Sequence, residues 1–284
     1  MNTIDDLSSK YTILKKEEIG RTYNNNPLIA LKLENNINNT AILFTGLHHA
    51  REPVSLLMNL YVLLYILDKY EAKDSNMIEL LNDVNLYFIP MINVDGYIKN
   101  NELYNTYHDL NQCMVRKNRR NDVFSNCFSE LGPGVDLNRN YDFKFSNDDR
   151  GSSGINCQED YRGPHAFSEN ETIAVRDFVE NHPNIRIAFN YHAWGNLAII
   201  PFNYLDSNNN LLLSNYTSQY ILYQEFMNEA GFPTGFKFGN GMNTIGYTAN
   251  GEASDWMLGT KKILAFSPEL GSNRQEADKF YPPI

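Results

Sequence analysis

The sequence is poor in basic residues, has few cysteines and contains no long hydrophobic run. Its 24 lysines and arginines are outnumbered by 34 aspartates and glutamates, so the formal net charge is −10. A protein that binds nucleic acid needs a basic face for the phosphates, and this charge argues against that class. The longest apolar run, residues 55–67, is shorter than the roughly 18 residues of a membrane span and is interpreted as a buried helix. We therefore expect neither a nucleic-acid partner nor a membrane partner.

The three cysteines are an odd number, which leaves at least one of them unpaired. Cys127 and Cys157 bracket a loop rich in glycine, asparagine and aspartate. A disulfide that closes this loop would stabilise the fold by roughly 3–4 kcal/mol in the chain-entropy model. Two free buried thiols fit the spacing equally well. Residues 1–11 lack the basic and apolar regions of a signal peptide.

The sequence does contain alternating β-rich and helical segments. Apolar, β-rich runs predict strands at 27–33, 41–47, 84–92, 185–191, 196–201 and 262–267. Apolar spacing predicts helices at 53–69, 168–180, about 211–230 and 252–258. Residues 95–165 are polar with little periodicity, which is typical of a long functional loop. The alternation predicts an α/β sandwich with a mostly parallel or mixed sheet, and the absence of a repeat or linker predicts one domain over residues 1–284.

Polar clusters follow several predicted strands, and active sites of such sheets form at the carboxyl ends of strands. His49 and Glu52 are three residues apart, so both can meet one ion, and His192 after a later strand would add a third ligand. Two histidines and one carboxylate with an open fourth position form a catalytic zinc set. A surface turn, for the first pair, and a hydrogen-bonded core histidine, for His192, are the alternatives. His48 is a rival ligand, but Arg51 stands three residues after it, so His48 is expected to be structural.

Two further clusters surround this candidate site. Basic runs usually form solvated faces, and this interpretation is given to three residues of RKNRR (116–120): Arg116, Lys117 and Arg120. The segment VDLNRN (135–140) indicates a polar network instead, in which Arg139 with Asn138 would hold a carboxylate bidentately. Glu269, at the end of a predicted buried strand, has a confined position that suits a general base.

Taken in order, these motifs resemble those of the zinc metallocarboxypeptidases, the M14 family typified by pancreatic carboxypeptidases A and B. The resemblance extends over most of the chain and is carried by HARE (49–52), RKNR (116–119), GVDLNRN (134–140), YHAWG (191–195), YTANGEASDW (247–256) and FSPEL (266–270). It implies a three-layer α/β/α sandwich with a mixed, mostly parallel central sheet. It also implies an enzyme that hydrolyses the C-terminal residue from peptides and proteins with one Zn²⁺ per chain.

The resemblance implies a role for each matching residue. His49, Glu52 and His192 would ligate zinc, Glu269 would take the proton of the attacking water and pass it to the leaving amine, and Arg119 would stabilise the oxyanion. The residues implied for the terminal carboxylate are Asn138, Arg139 and Tyr247. Tyr247 is also implied to swing in over the site. The cleft entrance and its wall would be formed by Arg51 and Trp194.

The side chain of the substrate's last residue would enter a pocket whose residues indicate two different substrate preferences. The family position just before the Asp-Trp pair is Ser254 here, which selects neither basic nor hydrophobic ends. Glu252 would attract a basic end, whereas Ile199 and Met242 would suit an apolar one. The pocket would be completed by Asn203 and Ser267. The sequence therefore predicts a mixed preference that accepts hydrophobic ends.

The resemblance also implies a Cys127–Cys157 disulfide and leaves Cys113 unpaired. A disulfide indicates an extracellular or an endolysosomal or vacuolar location. Helices that the family carries before the first strand and after the Glu269 strand are largely missing from the sequence, which indicates a chain truncated at both ends. We expect a monomer.

Two other functions stay open. A catalytically silent relative would only bind peptide C-termini, but Glu269 and the three candidate ligands are all present. A same-fold amidohydrolase would act on cell-wall peptides or acylated amino acids. The candidate clamp of Asn138, Arg139 and Tyr247 favours ordinary L-peptide ends.

Overall fold

The computed structural model describes residues 3–120, 132–206, 208, 216–229, 235–271 and 280–281. Its strands are β1 (Leu14–Arg21), β2 (Pro27–Leu33), β3 (Thr40–Thr45), β4 (Val84–Ile89), β5 (Ile185–Asn190), β6 (His192–Ala193), β7 (Leu197–Ile199), β8 (Lys237–Gly239) and β9 (Leu264–Leu270). Its α-helices are α1 (Thr3–Lys10), α2 (Pro53–Glu71), α3 (Ser75–Asp83), α4 (Val94–Tyr107), α5 (Asn170–Asn181), α6 (Thr217–Glu229), α7 (Gly241–Thr244) and α8 (Ala253–Gly259). Short 3₁₀ turns lie at Leu110–Gln112 and Leu137–Arg139.

The strands form one mixed sheet in the order β1-β2-β4-β3-β5-β9-β7-β8, with β6 also paired to β9. Five pairs are parallel, namely β3–β4, β3–β5, β5–β9, β6–β9 and β7–β8, whereas β1–β2, β2–β4 and β7–β9 are antiparallel. The predicted mixed, mostly parallel sheet is thus confirmed. Strands β2 and β3 follow each other in the chain but are separated in the sheet by β4.

Helices cover both faces of the sheet, and β3 shows why its sequence is almost continuously apolar. Leu43 packs with Phe178 of α5 and Trp256 of α8 in one core cluster, while the next residue, Phe44, packs with Leu63 of α2 in another. Successive side chains of a strand point to opposite faces, so a strand covered on both sides needs apolar residues at every position. The α/β/α sandwich follows from this two-sided burial.

One secondary-structure prediction was wrong: helix α4 lies within the segment predicted to be an irregular loop. Its buried face carries Gly96, Asn100 and Leu103, which gives almost no hydrophobic period. Asn100 instead exchanges two hydrogen bonds with the backbone of Val115. A helix held by polar side-chain contacts leaves no periodic apolar signal in the sequence.

The N-terminus of α5 also differs from the prediction. The helix begins at Asn170 and its N-cap residue is Glu169, whose side chain makes no capping hydrogen bond. Ser168, the first residue of the predicted helix, lies outside α5 and donates to the carboxylate of Glu169. No helix within the described part of the chain is both long and apolar enough to cross a membrane.

The parallel inner strands bring three chain segments to one edge of the sheet. The last residue of β3, Thr45, is in register with the last residue of β5, Asn190, and their side chains are hydrogen-bonded at 2.7 Å. His49 follows β3 and His192 follows β5, so both histidines lie beyond the same edge. This position is the one expected for an active site in such a sheet.

Candidate metal centre

The structure brings His49, Glu52 and His192 together as a buried group of possible metal ligands, with one ligand atom from each within 4.8 Å of the others. Nδ1 of His49 lies 2.7 Å from Oε1 of Glu52, and Nδ1 of His192 lies 3.0 Å from Oε2 of the same carboxylate. The two Nδ1 atoms are 3.2 Å apart. The three side chains are at most 5% exposed.

The donor set fits zinc. Two imidazole nitrogens and a carboxylate are ligands of catalytic zinc sites, and ligands about 2.0–2.1 Å from a tetrahedral ion are separated by about 3.3 Å. The 3.2 Å between the ring nitrogens of His49 and His192 agrees with this separation.

A second carboxylate orients His49. Nε2 of His49 lies 3.2 Å from Oδ1 of Asp136, and Arg116 donates to Oδ2 of Asp136 from Nε at 2.9 Å. Asp136 is completely buried. A carboxylate on the outer ring nitrogen fixes the tautomer that presents the inner nitrogen to a metal. Asp136 is therefore a positioning residue of the metal centre.

The buried charges of this group act on one another. Burial, followed by the nearby Arg116, lowers the pKa of His49. Burial alone would raise the pKa of Glu52, but His49 and His192 hold it well below the usual range of a glutamate. Burial would likewise raise the pKa of Asp136, which Arg116 and then His49 keep well below its usual range. Burial would lower the pKa of His192, but its hydrogen bond to Glu52 and the charge of Glu52 raise it. The shift of His49 therefore favours the neutral imidazole that binds a metal ion, whereas that of His192 reflects its contact with Glu52.

Glu269 lies beside the ligand group because of strand register. Strand β6 pairs in parallel with β9, which sets His192 opposite Glu269. Strand β7 pairs with β9 on the other side and sets Leu197 opposite Glu269. Burial, followed by the negative charge of Glu52, raises the pKa of Glu269 to about 8.

His48 is not a member of the group of possible metal ligands, and its structural role stays a prediction. Its side chain is completely buried, and Nε2 lies 2.9 Å from the hydroxyl of Tyr141. Burial, followed by the charge of His192, lowers its pKa well below the ordinary value. A neutral imidazole against a tyrosine would support the fold from behind the ligand group.

A cavity of about 590 Å³ opens from the ligand group. Its lining includes nine of the residues that the sequence assigned to substrate binding: Arg51, Asn138, Arg139, Trp194, Ile199, Asn203, Tyr247, Glu252 and Ser267. Two residues assigned to substrate binding, Met242 and Ser254, are not part of this lining, and neither is Arg119, to which the resemblance gave the oxyanion. Ser254 lies just beneath the cavity, where its hydroxyl donates to Glu252. Arg119 and Met242 are half-buried, and each lies close in sequence to a residue of the lining, Arg116 and Gly241 respectively.

Arg139 and Asn138 form a polar wall of the cavity. The Arg139 side chain donates from Nη1 to the carbonyl of Asn138 at 2.8 Å, while its buried Nε has no hydrogen-bond partner among the described residues. Arg139 is only 6% exposed. An unsatisfied guanidinium nitrogen that faces a cavity is suited to a carboxylate ligand.

The basic run at 116–120 is not the solvated face that we expected. Arg116 is bound to Asp136, and Arg120 donates to a carboxylate oxygen of Glu169 at 3.0 Å. Lys117 is 0% exposed and donates to the carbonyls at positions 156 and 158 at 3.0 and 2.8 Å. Burial lowers the pKa of Lys117 to about 8. These contacts could not be predicted from the basic run itself, because each partner is distant from it in the sequence.

Sequence reasoning also overlooked the role of Asp136. Its place in the VDLNRN segment indicated only a polar network.

The remaining prediction in this region concerns the disulfide. Cys113 is buried and free, whereas Cys127 lies outside the described residues, so its pairing with Cys157 stays a prediction.

Comparison with known proteins shows which family the chain belongs to. The family model described as zinc carboxypeptidase matches residues 1–284. The chain is 31% identical over 261 residues to mast cell carboxypeptidase A of Mus musculus and 30% identical over 264 residues to carboxypeptidase B2 of Rattus norvegicus. These matches cover 89% and 91% of the chain, which spans 57% and 58% of the length of the two relatives.

A solved structure of bovine thrombin-activatable fibrinolysis inhibitor, in complex with tick carboxypeptidase inhibitor, is similar to the chain with a TM-score of 0.74. The sequences are 26% identical, and the similarity covers 99% of this chain and 86% of that one. A carboxypeptidase A from Helicoverpa armigera has the same fold, with a TM-score of 0.72 over 96% of this chain and 63% of that one at 21% identity. The three-layer arrangement is therefore a fold that the chain shares with these proteins.

Proposed function

Because this chain belongs to the zinc carboxypeptidase family, we propose that it is a metallocarboxypeptidase that hydrolyses the C-terminal peptide bond of peptides and proteins. The observation that carries the proposal is the register of β6 and β9, which sets Glu269 beside His192 of the ligand group. A general base next to a metal centre is the arrangement that hydrolysis by an activated water requires. The family uses zinc, and the ligand group of His49, Glu52 and His192 fits that ion.

The protein's own residues would divide the reaction as follows. Zinc, when bound, supplies a Lewis acid that polarises the scissile carbonyl and makes water a better nucleophile. Glu269 would accept a proton from the attacking water and deliver it to the nitrogen of the leaving residue as the C–N bond breaks. Arg119 would donate to the oxyanion. The loss expected on Arg119→Met is about 10²–10³-fold in kcat.

The polar wall of the cavity would make the enzyme an exopeptidase. Asn138 and Arg139 would bind the terminal carboxylate, since both line the same cavity as the ligand group and the buried Nε of Arg139 has no hydrogen-bond partner among the described residues. Tyr247 lines the cavity but is 52% exposed, so its ring is available to cover a bound chain end. Arg51, held by an ion pair to Glu159 at 3.0 Å, would border the entrance. Only a chain end has a carboxylate to place in such a clamp.

Residues 1–284 would form a single catalytic domain that acts as a monomer. The predicted Cys127–Cys157 disulfide favours an extracellular or an endolysosomal or vacuolar location, where such bonds persist. Mass spectrometry of non-reduced peptide fragments tests the pairing directly.

The test of activity is the release of the last residue from peptides that end in Phe, Leu, Arg or Glu. We expect the zinc-loaded protein to release it, and Glu269→Gln to lower kcat by at least about 10²-fold while the zinc content stays the same. A zinc chelator should abolish release. Binding of peptides without any release would favour the silent relative instead. Turnover confined to D-amino-acid or γ-linked peptides would favour an amidohydrolase that acts on cell-wall peptides or acylated amino acids.

A further inference from the structure

The turn between β2 and β3 is built largely from asparagines, namely Asn35, Asn36, Asn38 and Asn39. Three of these four side chains take part in the fold. Nδ2 of Asn35 donates to Oδ1 of Asn82 at 3.2 Å, and Nδ2 of Asn39 donates to the carbonyl of Asn82 at 2.6 Å. Oδ1 of Asn36 accepts from the backbone nitrogen of Asn38 at 3.0 Å. The fourth side chain, that of Asn38, is exposed and has no hydrogen-bond partner among the described residues.

Asn38 is the first residue of the sequence Asn38-Asn39-Thr40, which is an acceptor sequence for N-linked oligosaccharides. The asparagine amide receives the sugar, and the threonine hydroxyl is needed for recognition. Thr40 is the first residue of β3 and is exposed, and its hydroxyl has no hydrogen-bond partner in the described part of the chain. Both groups that define the acceptor are therefore accessible in the folded protein.

A second acceptor sequence begins at Asn170 and differs in this respect. Asn170 is exposed at the start of α5, but Thr172 is completely buried. The hydroxyl of Thr172 donates to Oδ1 of Asn140 at 2.7 Å and to the carbonyl of Glu169 at 3.0 Å. This acceptor is therefore available only before α5 packs against the rest of the domain. A third acceptor sequence begins at Asn215, which lies outside the described residues.

Neighbouring segments hold the backbone of the turn and leave its tip in solvent. Nδ2 of Asn85 donates to the carbonyl of Asn36 at 2.7 Å, and Nδ2 of Asn184 donates to the carbonyl of Asn39 at 2.8 Å. Between these two anchors lies Ile37, which is 66% exposed. Contact of this apolar side chain with water is unfavourable. A bulky, hydrophilic sugar on the next residue would cover it.

The turn is remote from the cavity. Thr40 begins β3, whereas Thr45 ends it at the edge of the sheet where the ligand group lies. A strand rises about 3.3 Å per residue, so these two ends are separated by about 17 Å. An oligosaccharide at the turn would therefore extend from the edge of the sheet opposite to the cavity.

From these observations we propose that Asn38 is an N-glycosylation site, which receives an oligosaccharide from a lipid-linked diphosphate donor in a secretory compartment. Nδ2 of Asn38 forms a bond to C1 of the first sugar while the bond from C1 to the diphosphate oxygen breaks. The amide loses one proton, and the lipid diphosphate is the leaving group. The inference rests on the proposed extracellular, endolysosomal or vacuolar location and goes beyond the proposed carboxypeptidase function.

Peptide mapping of the secreted protein tests the proposal. The chain is secreted from yeast behind a signal peptide and treated with peptide N-glycosidase in ¹⁸O-labelled water, which converts a glycosylated asparagine to labelled aspartate. A sample kept in the same water without the glycosidase corrects for spontaneous deamidation. Mass spectrometry should find the label at Asn38 in most molecules and at Asn170 in a smaller fraction. An unlabelled Asn38 in the folded, secreted protein would overturn the proposal, whatever the state of Asn170.

Substitutions of Thr40 supply the matched controls. Thr40→Ser keeps the hydroxyl and should keep the label, whereas Thr40→Val keeps the branched shape of the side chain and should lose it. Equal labelling of the two variants would contradict the proposal, and the wild-type label is decisive even if a variant does not fold. Both variants should cleave peptides as the wild type does, because the turn is remote from the ligand group. Cleavage of no peptide by the labelled, zinc-loaded wild type would overturn the proposed function and leave the glycosylation site standing.

Discussion

The carboxylate of Asp136 links Arg116 to His49, with 2.8 Å to Nη2 of the arginine and 3.2 Å to Nε2 of the histidine. The link connects a residue of the basic run to a candidate metal ligand, although the two residues belong to separate sequence motifs. It makes the geometry of His49 dependent on a buried ion pair.

Arg116→Gln is therefore expected to weaken zinc binding by about 10- to 100-fold, the range for residues that orient a ligand. The loss follows because Asp136 would keep its buried charge without a full partner and would hold His49 less firmly. Competition with a chromogenic chelator measures the affinity. Arg120→Gln, which removes the partner of Glu169 instead, is the matched control and should bind zinc as the wild type does. Equal losses in both variants would contradict a specific role for Asp136 and Arg116.

Arg139 is expected to discriminate a free chain end from a blocked one. The wild type should cleave a peptide acid far faster than the same peptide with a C-terminal amide. Arg139→Lys should lower kcat/KM for the acid by about 10- to 100-fold, because lysine lacks the planar fork that binds a carboxylate bidentately. The rate with the amide should change much less. A variant that loses both activities in the same proportion would point to a structural role for Arg139.

Glu171 is expected to make stability depend on pH. Burial, followed by the charges of Glu169 and Asp95, raises its pKa from 4.5 to about 8, and its Oε1 has no partner among the described residues. Between these pH values the folded protein binds more protons than the unfolded chain, so the free energy of unfolding falls as pH rises. The contribution is fully present below about pH 4.5 and is lost as pH rises through about 8.

Urea denaturation at pH 5 and pH 8 measures this effect. Glu171→Gln cannot ionise, so its stability relative to the wild type should increase by roughly 1–3 kcal/mol between the two pH values. Glu180→Gln on the same helix corrects for the loss of one negative charge. A constant difference between Glu171→Gln and the wild type would show that Glu171 does not titrate in this range.

Gly134 is expected to tolerate no side chain. Its φ is +110°, and a Cβ there would lie 1.9 Å from the carbonyl oxygen of Asn118. Gly235 has nearly the same φ, +108°, but a Cβ there meets no described atom within 4 Å. Gly235→Ala should therefore cost about 1 kcal/mol from backbone strain alone, and Gly134→Ala several kcal/mol more or no folded protein. Thermal unfolding of the two variants separates the clash from the strain, and equal losses would contradict the clash.

The ligand group could be predicted from sequence because its spacing and its placement after predicted strands are local properties. His49, Glu52 and His192 needed only the rule that carboxyl ends of parallel strands meet at one edge. The burial of Arg116 and Lys117 could not be predicted in this way. Their partners, Asp136 and the carbonyls at 156 and 158, are brought near by the fold and not by neighbouring sequence.

The same distinction explains the error in the secondary structure. Helix α4 escaped prediction because Asn100 packs through hydrogen bonds and not through apolar contacts. Glu252 was recognised as a candidate, but its weight against Ile199 could not be judged from the motif. Only the contact of its carboxylate with Ser267 of β9 reveals that both residues face one cavity.

The two-sided burial of β3 has a consequence for how the metal centre is encoded. Leu43 and Phe44 belong to separate cores, so inserting or deleting one residue in this strand would exchange the occupants of the two layers. It would also advance or retard His49 relative to His192 by one step of about 3.3 Å. The position of the metal ligand is therefore set by the parity of a strand as much as by the HARE motif. If the HARE motif were moved to another sheet, its ligands would be transferred without the strand length that aligns His49 with His192.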